Sequence, residues 1–393
     1  MNYVFVGGEV VTPHAVIDRG AVVVEGEKIK EISTLSPSNF DNECQVIDCS
    51  GKRLMPGFID VHTHGALGCD FTDENPDTCS VLSRHYYAHG VTTLLATLSP
   101  LSHSLLVPAV RRLAEYCVEN AGRSNIYGIH LEGPYLNRAM RGGNREEYFE
   151  TPGLEKWEEV LAAGQGYIRL MTVAPELAGI IPVIEHAIRN GVVIALGHST
   201  ADGETTMKAI NKGARQVTHI FNSMPPLHHR EIGILAESLL SEELDAQLIA
   251  DGAHVHPKMI KLAAKVKGTD HIMLITDSIR ATQVGDGEYL SDGEKVSVRN
   301  GIVHLENGTL AGSTLVLEKA FRLIVNEVGI ALPDASRMLS LNAARSLGID
   351  KETGSIEVGK RADIVALDGD FNVDFTMRAG NFEYGKSPAT ETV

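Results

Sequence analysis

The chain of 393 residues is 43% hydrophobic and 22% charged, which excludes a disordered or low-complexity protein and fits one large domain with an accessory, or two domains. Its formal net charge of -16 argues against a nucleic-acid partner, because phosphate backbones call for basic surfaces, yet it permits a small anion held by a few pocket residues. The opening residues MNYVFVGGEVVTP have no basic segment leading an apolar core, and no apolar run approaches the roughly 18 residues that cross a bilayer, so a cytoplasmic protein without a membrane partner is expected.

Residues 1–57 hold short β-branched runs broken by Gly and Pro (YVFVGGEVVTP, GAVVVEGEKIKEI, QVIDCSGKRLMPG), which predict a meander of strands with tight turns. From residue 58 a different texture begins. Strand-like runs fall at FIDVHTH (58–64), GVTTLLAT (90–97), NIYGIHLEG (125–133), YIRLMTVAPE (167–176), GVVIALGHS (191–199), RQVTHIFN (215–222), DAQLIADGAH (245–254) and HIMLITDS (271–278). Between them lie stretches of helical length such as 102–120, 177–190, 202–213 and 256–267. Eight such alternations imply parallel strands joined by crossovers, an α/β chain built as a (β/α)8 TIM barrel. A doubly wound open sheet is the alternative, and no GxGxxG follows the first strand to support it. After helix-like segments at 313–328 and 333–347, the C-terminal GSIEVGKRADIVALDGDFNVDFTMRAGNFEYG returns to the strand-rich texture of the start. The expected organisation is a small β-sandwich domain built from both termini (1–57 and 352–393) and a barrel domain over 58–351. The cysteines, Cys44, Cys49, Cys69, Cys79 and Cys117, are odd in number and lack CxxC spacing, so they read as reduced thiols.

Side chains alternate along a strand, so His62 and His64 point the same way where the first run meets its loop, and two imidazoles there can share a metal ion. An HxH pair alone carries little weight. Further polar residues follow the same placement: Glu132 closes the third run, His198 the fifth, His219 sits in the sixth, His254 ends the seventh and Asp277 the eighth. Singly, Glu132 could cap a loop, His198 could bond a carbonyl and Asp277 could cap a helix. Together, at the C-terminal ends of barrel strands, they would converge on the face where such barrels place their chemistry. Neutral imidazole and carboxylate suit Zn²⁺ or Fe²⁺, and a catalytic metal keeps one position for water.

The ordered segments HTHG, HLEGPYLN, LGHST, THIFNSMPP, IADGAHVHP and LITDS, with NGTLAGST at 307–314, closely resemble the amidohydrolase superfamily, specifically its N-acetylglucosamine-6-phosphate deacetylases, over nearly the whole chain. That resemblance implies a homodimer that hydrolyses the acetamide of a phosphorylated N-acetyl amino sugar, N-acetylglucosamine 6-phosphate, to glucosamine 6-phosphate and acetate. It also implies that Glu132, His198 and His219 are the main metal ligands, that His62 and His64 hold a second ion with Glu132 bridging, and that one or two ions are bound per subunit. Asp277, itself within reach of the metal, would take a proton from the attacking water and return it to the departing amine. Asn222, Ser223, His254 and Arg230 would meet the phosphate and sugar, with Arg230 donated across the dimer, and Gly143 and Leu310 would add contacts from the RAMRGGN and NGTLAGST segments. The bland reading of Arg230 is a solvated loop residue, and that of NGTLAGST a turn before a helix. No lysine stands in the place of Glu132, unlike the carbamylated-lysine branch of dihydropyrimidinases and dihydroorotases.

One departure stands out. Relatives typically carry a GxHN-like stretch after EGP, whose histidine polarises the acetyl carbonyl, whereas this chain reads RAMRGGNREEYF. A second metal on His62 and His64 could take over that role. The altered loop keeps the C4 epimer, N-acetylgalactosamine 6-phosphate, as an alternative substrate. A hydrolase of cyclic amides and a non-catalytic relative are the readings from other classes.

Overall fold

The eight apolar runs form eight strands in one sheet, in the computed structural model, which describes residues 2–34, 44–291 and 293–385. They are β1 (Phe58–Thr63), β2 (Val91–Leu98), β3 (Ile126–Glu132), β4 (Ile168–Val173), β5 (Val193–Leu196), β6 (Gln216–Val217), β7 (Asp245–Ile249) and β8 (Ile272–Ile275). Each neighbours the next in sequence order, and β2 through β8 pair in parallel. Every residue of β1 and β2 is buried, as expected for strands covered on both faces. The sheet is nearly closed. Asp277 N donates to His62 O at 2.9 Å and His64 N to Ser278 O at 2.8 Å, so the chain leaving β8 bonds to the chain leaving β1.

The expected helical stretches are realised as His103–Glu119, Ile180–Arg189, Gly203–Asn211 and Pro257–Lys267. Ile180–Arg189 shows why: Ile180, Val183, Ile184 and Ala187 repeat at helical spacing and make its buried stripe. Asp202 starts the next helix by accepting from Thr205 N. Helices Thr78–Ala88, Leu154–Ala163 and Ile234–Leu240 fill further crossovers.

Beyond β8 lies an element that the barrel pattern does not anticipate, a three-stranded antiparallel sheet of Gly287–Ser291, Glu294–Arg299 and Ile302–Leu305. Its second turn is Asn300–Gly301, with φ of +51° and +73°, the pairing that a two-residue hairpin of matching twist favours. Val296, Val298, Val303 and Leu305 pack with Ile279 and Ala281 beneath it.

Both termini contribute to a separate sheet of eight strands. Arg53–Pro56 pairs antiparallel with Ile364–Leu367, which joins the N-terminal strands Asn2–Val11, Val16–Glu25, Lys28–Ser33 and Gln45–Asp48 to the C-terminal strands Val373–Arg378 and Asn381–Tyr384. Tyr3, Phe5, Val22, Ile29, Leu54, Ile364, Phe375 and Met377 form its buried core. Cα proximity divides the chain into Met1–Asp60, Arg84–Thr93 and Leu317–Val393 on one hand and Val61–Ser83 with Leu94–Val316 on the other.

Gly197, one residue past β5, shows how tightly the barrel is filled near its C-terminal end. A Cβ there would lie 2.7 Å from Thr218 Cβ and 3.2 Å from Thr172 Cγ2. Gly197→Ala is expected to destabilise the metal-free protein by about 1–3 kcal/mol in urea unfolding, the range for overpacking a filled interior.

Candidate active site

The strand ends bring the sequence-derived candidates together. Alternation along β1 turns His62 and His64 to one side, and Glu132 is the last residue of β3. His198, His219 and Asp277 each lie two residues beyond their strands, with φ of +47°, +27° and +50°. Such left-handed backbone costs a residue with a side chain about 1–3 kcal/mol and persists only where its surroundings hold it. Here Asn137 N donates to His198 O (3.0 Å), Asn222 Nδ2 to His219 O (3.2 Å) and Ser313 N to Asp277 O (2.8 Å).

Two groups of ligand atoms share Glu132: His62 with His64, and His198 with His219. Glu132 Oε1 lies 3.1 Å from both His198 Nε2 and His219 Nε2, which are themselves 3.0 Å apart. On the other side, His62 Nε2 is 3.4 Å from Glu132 Oε1, His64 Nε2 is 3.5 Å from Glu132 Oε2, and the two imidazole nitrogens are 3.3 Å apart. Asp277 Oδ1 completes this second group, 3.2 Å from His64 Nε2 and 3.4 Å from His62 Nε2.

The outer nitrogens decide what the inner ones present. His198 Nδ1 donates to the Met140 carbonyl at 2.7 Å, so a neutral His198 turns an Nε2 lone pair toward Glu132. His62 Nδ1 donates to Gln247 Oε1 at 2.9 Å, and Gln247 is held in that orientation by donating its own amide to Gln216 Oε1 at 2.8 Å. Lone pairs therefore face a carboxylate across gaps of 3.1 and 3.4 Å, a repulsive arrangement unless a cation lies among them. The spacing also suits a metal. Ligands at 2.0–2.1 Å from a tetrahedral zinc are about 3.3–3.4 Å apart, close to the separations at both groups.

Charge leads to the same conclusion. Burial works to raise the pKa of Glu132, but the surrounding imidazoles outweigh it and hold the carboxyl well below its usual range. Asp277 is likewise lowered, burial again being overcome by His62 and His64. Burial lowers His62 and keeps it neutral; for His64 the same effect is outweighed by Asp277 and Glu132, which raise it to about 10. Two buried carboxylates thus draw positive charge into the site, and a divalent ion supplies it as well as a proton does. His130, directly beneath, plays no such part. Its ring nitrogens bond to Thr97 and Thr172 hydroxyls at 3.2 and 2.8 Å, burial holds it neutral, and it packs edge-on against His62.

A cavity opens over this cluster. His64, Glu132, His198, His219 and Asp277 form its floor, and Asn222, Ser223, His254, Gly143 and Leu310 line its walls. His62 is fully buried below. Arg230 is exposed, outside this cavity, with Nη1 2.7 Å from His229 Nε2.

Several lining residues escape a reading by motif. Ser99 bonds His64 Nδ1 at 3.1 Å; behind the lining, Asp251 of the IADGAHVHP segment bonds His254 Nδ1 at 2.6 Å, fixing the ring that faces the cavity. Gly142 and Asn144 enter from the altered RAMRGGN segment. Gly142 has φ +59°, and a Cβ there would meet Ser223 Oγ at 2.8 Å, so this loop approaches the site through bare backbone. Ser291, Glu294, Val296 and Leu305 come from the three-stranded sheet, whose only sequence signal is alternation around Asn300–Gly301.

A barrel whose strand ends carry HxH, a shared carboxylate, two further histidines and an aspartate is the frame of a metal-dependent hydrolase. The model of the amidohydrolase family matches residues 53–383. A Bacillus subtilis (strain 168) protein named N-acetylglucosamine-6-phosphate deacetylase is 34% identical over 379 residues, 95% of each chain. An Escherichia coli O157:H7 protein named N-acetylgalactosamine-6-phosphate deacetylase is 36% identical over 328 residues, 84% of this chain and 87% of its own. Among solved structures, a mutant N-acetyl-D-glucosamine-6-phosphate deacetylase of Mycobacterium smegmatis in complex with N-acetyl-D-glucosamine-6-phosphate superposes with a TM-score of 0.91 at 31% identity, covering 97% of this chain and 99% of that one. The chain belongs to the amidohydrolase family, and within it to the N-acetylglucosamine-6-phosphate deacetylase family.

Gln247→Leu removes the acceptor that orients His62. Metal retention at the His62–His64 group is expected to weaken by about 10–100-fold, the usual cost of losing such a partner, as measured by titration against a chelator.

Proposed function

We propose that the chain hydrolyses the acetamide of N-acetylglucosamine 6-phosphate, releasing acetate and glucosamine 6-phosphate. The observation that carries this reading is the position of Asp277: its carboxylate lines the cavity and lies 3.2 Å from His64 Nε2, at the edge of the cluster organised by Glu132. Glu132, His198 and His219 would hold one divalent ion, Zn²⁺ or Fe²⁺, and His62, His64 and Asp277 with Glu132 a second. A bound metal supplies the Lewis acidity that brings the pKa of water from 15.7 to about 7, making hydroxide available near neutral pH.

The chain's own groups do the rest. Asp277 accepts the proton of the water that attacks the acetyl carbonyl carbon. As the C–N bond breaks, the same carboxyl delivers that proton to the nitrogen, which leaves as an amine rather than as an amide anion. Acetate and amino sugar account for every atom of amide and water. His254, oriented by Asp251, and Asn222 with the Ser223 backbone would hold the sugar phosphate, joined by Gly143 and Leu310 on the opposite walls. Arg230, exposed on its own chain, is placed in this reading at the site of a partner subunit in a homodimer, where its planar fork suits phosphate. All these residues fall in the proposed catalytic domain, 58–351, with 1–57 and 352–393 as the accessory domain. A cytoplasmic location fits the five cysteines, none of which forms a disulfide.

N-acetylgalactosamine 6-phosphate remains the second reading, favoured by the 36% identity to the Escherichia coli O157:H7 relative of that name. Acetate release from the two sugars, measured side by side with metal-replete protein, tests both. Preference for the gluco epimer is expected; preference for the galacto epimer would support the second reading, and inactivity on both with metal bound would refute both. Asp277→Asn, in turn, is expected to keep bound metal and to lose turnover by about 10²–10⁴-fold, the scale of general acid–base catalysis; near-normal turnover would remove Asp277 from the mechanism.

A further inference from the structure

The strand-end pattern assigns chemistry to β1, β3, β5, β6, β7 and β8 and none to β2 or β4. Three residues beyond β4 stands Glu176, an acidic side chain near the same end of the barrel. Its environment differs from that of Glu132. Glu176 Oε1 accepts from Asn137 Nδ2 (2.7 Å), Thr200 N (2.7 Å) and Thr200 Oγ1 (3.2 Å), and Oε2 accepts from Ser199 Oγ (2.7 Å). A carboxylate has about four lone-pair sites, and with three donors on Oε1 and one on Oε2 Glu176 is committed chiefly to these neighbours.

Those donors belong to two segments that meet around His198 and are also joined directly, Asn137 Nδ2 donating to Thr200 Oγ1 at 2.9 Å. Ser199 and Thr200 follow His198 directly. Asn137 lies on the loop after β3, where its N–H bonds the His198 carbonyl at 3.0 Å and its Oδ1 accepts from Ala139 N at 2.9 Å, opening the turn Arg138–Met140. That turn ends at Met140, whose carbonyl accepts from His198 Nδ1 at 2.7 Å. Glu176 therefore grips His198 from both sides: through Ser199 and Thr200 it holds the backbone after a residue at φ +47°, and through Asn137 it holds the turn that sets the ring's tautomer.

We infer that Glu176 is a positioning residue for His198, bridging Asn137 and the Ser199–Thr200 pair so that His198 Nε2 is presented to a metal shared with Glu132 and His219. The inference rests on the metal-centre reading above. The start of the RAMRGGN segment also serves the centre, through the Met140 carbonyl, and Glu176 keeps it there through Asn137.

The test uses full-length protein reconstituted with Co²⁺, comparing wild type, Glu176→Ala and Glu176→Gln. Glu176→Ala is expected to weaken Co²⁺ binding by about 10–100-fold and to shift the cobalt ligand-field bands. Glu176→Gln should restore wild-type bands, since its amide oxygen still accepts from Asn137 and Thr200 while the Ser199 hydroxyl can turn to accept. Unchanged affinity and bands in Glu176→Ala, even with a lower unfolding midpoint of the metal-free protein, would overturn the inference and leave Glu176 as a loop brace. Loss of the bands in Glu176→Gln to the same degree as in Glu176→Ala would overturn it too. Should Glu176→Ala fail to fold, Asn137→Ala removes the same bridge from the other side and is read by the same criteria. Wild-type protein that takes up no Co²⁺ would instead refute the metal-centre reading itself.

Discussion

The Glu132 carboxylate, 4% exposed and surrounded by the imidazoles of His62, His64, His198 and His219, is the constraint on which the rest of the site depends. A buried charge without compensation costs several kcal/mol, and here a second carboxylate, Asp277, lies beside it. The outer nitrogens of His198 and His62 donate to the Met140 carbonyl and to Gln247, so both rings turn lone pairs rather than protons toward the carboxylate, and a cation among them would complete the compensation. The centre is thus built in layers, with a polar shell fixing ring orientation and the ligand atoms converging inside it.

Backbone geometry contributes as much as side chains do. An extended strand carries its residues to alternate faces, which suffices for His62 and His64. It does not suffice for His198, His219 and Asp277, which must turn inward just past their strands and do so at positive φ. The strain is held by hydrogen bonds to the carbonyls of these residues, from Asn137 on the loop after β3, from Asn222 in the same loop as His219 and from Ser313. Gly142 extends the same economy of space, since a side chain there would strike Ser223.

Much of this was legible beforehand because its signals are local or periodic. The barrel shows in eight apolar runs at regular spacing, and the ligands show because strand ends are where each run turns polar. The terminal sheet is visible in the matched textures of the two chain ends, and residues such as Val22, Ile29 and Ile364 in its core are the β-branched positions of those runs. The roles of Glu176 and Gln247 were not legible. Each acts through one side chain reaching residues distant in sequence, and an isolated Glu or Gln in a loop or strand has no pattern to mark it. Asp251 lies inside the IADGAHVHP segment, but its bond to His254 shows only in the structure. The three-stranded sheet over 287–305 was hidden differently, since its strands are short and its Asn–Gly turn is common.

By itself the sequence determined the alternating strand–helix order and the place of His62, His64, Glu132, His198, His219 and Asp277 at or near strand ends, because burial periodicity and side-chain chemistry are properties of the chain. Only the tertiary structure decided that Glu132 is shared between two histidine pairs, that His62 and His198 present Nε2 rather than Nδ1, and that Glu176 is bonded to Asn137, Ser199 and Thr200. Those facts depend on distances of about 3 Å between residues tens of positions apart, which arise only when the barrel closes.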